Sequence, residues 1–149
     1  MTEAPSSVEE VQEEEYELTP EESEMFKILV HVGRLTDTIK VFGHDIVIST
    51  ISVDEDLQVG LLLKEYDGTA AFQRAYRTLV AAAAVRSIDG QPLITPLALS
   101  ELDSSTKVKP KFEKMKEYFP PVIDEIYNGI MNLEKKIAPV LMKLGKISA

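Results

Sequence analysis

Asp54, Glu55 and Asp56 form the densest group of acid–base side chains in the sequence. Carboxylates placed so closely could transfer protons or hold a divalent cation if they lined a pocket. Ser52-Val53-Asp54-Glu55 is also a capping box, in which the Ser and Glu side chains each satisfy an orphan backbone N–H at a helix start. That pattern places the three carboxylates in a first helical turn, where anions meet the positive end of the helix dipole. Helix-start chemistry therefore outranks catalysis. His44 stands beside Asp45, but no nucleophile accompanies the pair in sequence, so an exposed turn histidine is the better reading. His31 and His44 are the only imidazoles and there is no cysteine, which removes thiolate nucleophiles, thiolate metal ligands and disulfides. Gly43, Gly60, Gly68 and Gly90 are too scattered to make a phosphate loop, and no zinc-protease or calcium-loop spacing occurs. The residues predict a protein that is not an enzyme and carries no cofactor and no metal.

Charge is distributed unevenly. Residues 1–24 hold ten glutamates and no Lys or Arg, which leaves 15 acidic against 16 basic side chains in residues 25–149. A near-neutral body with an anionic arm argues against nucleic acid as a partner, because phosphate contacts need clustered cations. Lys107, Lys109, Lys111, Lys114 and Lys116 do cluster, but Glu113 and Glu117 interleave with them at helix-pair spacing. A solvated helix face is the expectation, with an acidic partner or the chain's own acidic arm as the alternative. The acidic, polar opening Met1-Thr2-Glu3-Ala4-Pro5 is the reverse of a secretion signal, and no apolar run approaches the roughly 20 residues of a membrane helix. The expectation is a soluble intracellular protein.

The elements that would position these residues follow from periodicity. Residues 1–19 read as a disordered acidic tail, because too few apolar side chains are present to offset an ordering cost of roughly 1–2 kcal/mol per residue. The alternative is a docking arm that orders on a partner through Tyr16 and Leu18. Thr19-Pro20-Glu21-Glu22 starts a helix predicted over 20–32, with Ile28 to Val32 as a competing strand. Alternating apolar residues on either side of Gly43-His44-Asp45 predict one antiparallel β-hairpin over Thr38–Ile51. Helices are expected over 53–66 and 69–87, the second capped by Thr69 and carrying the small-residue patch Ala81 to Ala84. A short helix is expected through Leu99 and Leu102, then a linker over 103–106, then a Lys-rich helix within Pro110 to Phe119.

A long amphipathic helix over 121–144 follows, with Pro139 expected to kink it. Its stripe Ile130, Ile137, Val140, Leu141 and Leu144 either packs on the chain's own core or serves as a partner-binding or homo-oligomer surface. The predicted class is α+β and mostly helical: a hairpin on a small helical bundle in residues 20–103, with residues 104–149 a helical segment packed on it.

The blocks Ile39 to Ile48, Ser52 to Leu57 and Ala81 to Leu93, the last ending in Asp89-Gly90-Gln91-Pro92-Leu93, resemble the tail-assembly chaperones of tailed bacteriophages. The resemblance spans about residues 36–137 and its motifs are structural. It implies a host-cytoplasmic assembly factor that binds the helical, hydrophobic tape-measure protein through apolar helix faces and then leaves. The long acidic tail departs from the family outline, which leaves a structural component of the phage tail or baseplate as the alternative. No catalytic residues carry over.

Overall fold

The computed structural model describes residues 17–31, 33–94 and 107–148. Residues 1–16 of the expected 1–19 tail, the Leu99–Leu102 helix and the 103–106 linker lie outside the described residues. Helix α1 spans Pro20–His31. Its start is a second capping box: the Glu22 N–H donates to Thr19 Oγ1 at 3.1 Å, and Glu22 Oε1 accepts from the Thr19 N–H at 3.0 Å. With two orphan N–H groups satisfied, helix prevails over the β-favouring Ile-Leu-Val composition. Gly33, at φ 78, ends it by donating to Ile28 O at 3.0 Å.

Strands β1, Thr36–Val41, and β2, His44–Ser49, form the expected hairpin. The sheet has a third member. β3, Val85–Ile88, pairs antiparallel with β2, giving the order β1-β2-β3. Sequence periodicity extended a helix over 69–87, and the structure corrects this at both ends. Helix α3 covers Phe72–Ala84, because Thr69 donates its hydroxyl to Tyr66 O at 2.7 Å instead of capping, and because Val85 turns extended at ψ 126 to join the sheet. Ladder bonds to β2 outweigh one further helical turn of a β-branched segment.

Helix α2, Val53–Leu63, has the predicted capping box at Ser52 and Glu55. A single 3₁₀ turn, Lys64–Tyr66, replaces the last turn expected there. Helix α4, Val108–Met115, starts earlier and stops sooner than the expected Lys-rich helix. Helix α5, Pro120–Ser148, runs through Pro139 as one helix. Pro139 is exposed while its neighbours Ile137 and Val140 are buried, so the missing N–H and the ring sit on the water side of the helix.

Helix α3 lies at the centre, packed on α2, α4 and α5, and Ala81 to Ala84 are all fully buried. Four methyl side chains in succession let three neighbours approach one helix. The inner sheet face carries Ile39, Val41, Ile46 and Ile48, and α5 lies across it. The tightest approach is at Gly129, where a Cβ would stand 2.6 Å from the Ile39 δ-methyl. The fold is α+β and mostly helical. Among the described residues no helix is long and apolar enough to cross a membrane.

Candidate partner-binding surface

The hairpin register places Val41 opposite His44, so the loop contains two residues, Phe42 and Gly43. Both have positive φ, 48° and 83°, as a two-residue turn between right-twisted strands requires. The predicted break at Gly43-His44-Asp45 lies too late in the chain, since His44 and Asp45 already belong to β2. The inward alternation of Val41 and Ile46 already implied that four residues lie between them, two of which belong to strands.

Glycine meets the left-handed requirement freely, but Phe42 does not: asparagine, aspartate or glycine normally fills its position. Its ring gains little from the core, since Phe42 is 65% exposed. Phe119 stands nearby at 70% exposure, in the turn between α4 and α5 where Pro120-Pro121 begins the last helix. Between them lies a groove of about 310 Å³ lined by Val41, Phe42, Ile46, Ile88, Tyr118, Phe119 and Val122, with His44 and Asp89 at its polar edge.

That edge is hydrogen-bonded. His44 Nδ1 lies 2.6 Å from Asp89 Oδ2, the Asp45 N–H donates to Asp89 Oδ1 at 2.9 Å, and Lys40 Nζ pairs with Asp45 at 3.0 Å. The His44 hydrogen bond and then the Asp45 N–H hold the Asp89 carboxyl below its ordinary range. Asp89 itself has φ 50°, ahead of Gly90 at 80°, in a second tight turn closed by reciprocal bonds between Ile88 and Gln91. Two non-glycine residues in the left-handed region thus flank one apolar groove, and such conformations persist where the surroundings over-determine them.

The stripe predicted to bind a partner is mostly core. Ile130, Ile137 and Val140 are buried, and Leu144 is half-buried. Leu141 alone of the stripe faces water, at 58% exposure, with Met142 beside it. It borders a shallow, open hollow shared with Met131, Glu134, Lys135, Ile137 and Ala138. The three-four spacing shows which residues share a face, while the position of the sheet decides whether that face is covered. Leu18 is half-buried just before α1, and Tyr16 lies outside the described residues.

The carboxylate cluster divides. Glu55 is buried, whereas Asp54 accepts from Gln58 Nε2 at 2.9 Å and Asp56 is exposed. Glu55 Oε1 takes Arg34 NH1 at 2.6 Å and the Ser52 N–H at 2.9 Å, while Oε2 takes Arg86 NH2 at 3.0 Å. Burial pushes Glu55 up, but the Ser52 N–H and the two guanidiniums outweigh it and hold the carboxyl low. Lys111 is buried nearby with its ammonium on Val85 O at 3.2 Å, and Lys114 donates to Leu93 O at 2.9 Å. The expectation of a solvated lysine face is therefore corrected at Lys111, while Lys114 stays exposed. Burial first, then the Arg86 charge, pushes Lys111 down to about 8. The carboxylates of Glu55 and Asp54 and the ammonium groups of Lys111 and Lys114 bond to protein partners, and the Glu55 cluster ties segments together. Among the described residues no group of three or more His, Cys, Asp or Glu is placed to hold a metal ion.

Compared with known proteins, the chain matches no family model, no curated protein and no solved structure.

Proposed function

We propose that the protein is a tail-assembly chaperone or adaptor of the tailed-bacteriophage type, and that the groove between the hairpin tip and the start of α5 holds an apolar helical stretch of the tape-measure protein. The observation that carries this reading is Phe42. A left-handed conformation costs a bulky residue roughly 1–2 kcal/mol, and this ring is left mostly in water. Neither the turn nor the core benefits from phenylalanine there, whereas an apolar partner would. Phe119 across the groove supplies a second aromatic anchor, of a residue class enriched at interfaces. The identity of the client comes from the resemblance of the Ile39–Ile48, Ser52–Leu57 and Ala81–Leu93 blocks to that family.

Co-expression with the tape-measure protein tests the reading. Wild type should keep the client soluble, and Phe42→Asp combined with Phe119→Asp should leave it in the pellet while circular dichroism and Tm stay near wild type. Leu141→Asp should retain the client; release by that variant alone would move the site to the end of α5. Purified particles should lack the protein. A fixed copy number in mature virions would replace the chaperone reading with a structural tail component.

A further inference from the structure

The outer face of α2 is apolar in a way the fold does not use. Val53, Leu57 and Leu61 recur every four residues on one face and are 78%, 62% and 70% exposed. The inner face of the same helix holds Glu55, Gln58 and Val59, which are buried. Side chains four apart form a continuous ridge, and three large aliphatic residues in water are an unusual expense on a helix of 11 residues. Gly60 lies on the same face with nothing within 4 Å of where a Cβ would be, so another backbone could come close beside Leu57.

We infer that this face binds a second copy of the chain, with two α2 helices packed antiparallel about a two-fold axis at Leu57. The stripe is symmetric about that residue: reversing the helix sets Val53 against the partner's Leu61 and Leu57 against itself, the self-complementarity that an isologous contact demands. The charges agree with this direction. Acidic Asp54 sits in the first turn and Lys64 directly follows the last residue of α2, so antiparallel packing brings unlike charges together. Helical side chains lean toward their own N-terminus, which carries the Lys64 ammonium back toward the level of the partner's Asp54. A parallel pair would instead set Asp54 against Asp54 and Lys64 against Lys64.

The size of the face sets the strength. Three aliphatic side chains and their rim fall well short of the roughly 800 Å² per partner of a standard interface, so the dimer is weak and concentration-dependent. The inference does not rest on the chaperone reading, since the α2 stripe shares no residue with the aromatic groove.

The absence of cysteine makes the test direct. Leu57→Cys, treated with a short bismaleimide, should give a species of twice 16.6 kDa far faster than Leu141→Cys, whose site is comparably exposed at 58%. Val53→Cys mixed with Leu61→Cys should cross-link faster than either alone. Sedimentation equilibrium should show monomer passing to dimer between about 1 and about 100 µM, and Leu57→Asp should abolish the transition with Tm unchanged. Equal cross-linking at 57 and 141, or a monomer throughout that concentration range, overturns the proposal. If Leu57→Asp unfolds, the cross-linking comparison alone decides.

Discussion

At Phe42 the backbone and the side chain make opposing demands, since the turn wants a residue that tolerates positive φ and the exposed ring offers nothing to the fold in return. Phe42→Asn should therefore stabilise the protein by about 1 kcal/mol, or some 2–4 °C in Tm, while weakening client binding. A fall in Tm would mean that the ring packs in the free protein and would remove the argument for a binding role. Lys111 makes a second prediction at this scale. Its folded value of about 8 lies below the ordinary 10.5. Between those pH values the unfolded chain holds the extra proton, so stability rises with pH; below about 8 both states are protonated and the burial cost is constant. The Tm of wild type relative to Lys111→Met should climb from about pH 7.5 to about 9.5. Tyr76 and Tyr118, which burial holds above the ordinary phenol value, are common to both proteins and cancel in this difference, which levels off near the ordinary lysine value of 10.5. A flat difference would show that Lys111 is not desolvated.

Among the elements, the contact of α5 with the sheet sets the tolerance of the core. Gly129 meets the far end of Ile39, a δ-methyl that can rotate away. Gly129→Ala should be close to neutral, because roughly 1 kcal/mol of helix propensity offsets the shift of that methyl. Gly129→Val adds two further carbons against a γ-methyl that Ala would already press, the Cγ2 standing 3.3 Å from the added Cβ. It should cost about 1–3 kcal/mol in a urea titration. Equal stability of the two variants would show that α5 is not pressed against β1 at this point.

For the molecule as a whole, Glu55 links segments far apart in sequence: Arg34 before β1, Ser52 ahead of α2, and Arg86 in β3. Removing its charge leaves two guanidiniums without their counter-ion. Glu55→Gln should lose about 2–4 kcal/mol, less than a completely buried pair because the Arg34 and Arg86 side chains are 34% and 25% exposed. The sign with pH is fixed: a carboxyl held below 4.5 in the fold contributes fully above that value and loses its contribution as pH falls through the depressed one. Acid unfolding of wild type should accordingly be steeper below about pH 4.5 than that of Glu55→Gln, and parallel curves would count against the cluster as a fold-wide tie.

Local rules in the sequence determined the capping boxes at Thr19 and Ser52, the hairpin and the long amphipathic helix, because each depends on residues within a few positions of one another. The class followed, since those elements cannot bury their faces separately. Tertiary structure decided the rest. Val85 to Ile88 became a strand because β2 offered a free edge, which no window around those residues contains. Ile130, Ile137 and Val140 became core while Val53, Leu57 and Leu61 stayed in water, although both stripes have helical periodicity. Periodicity states that a face is apolar; whether the sheet, a neighbouring helix or solvent lies against it depends on how the elements pack, and that is fixed by contacts between residues distant in the chain.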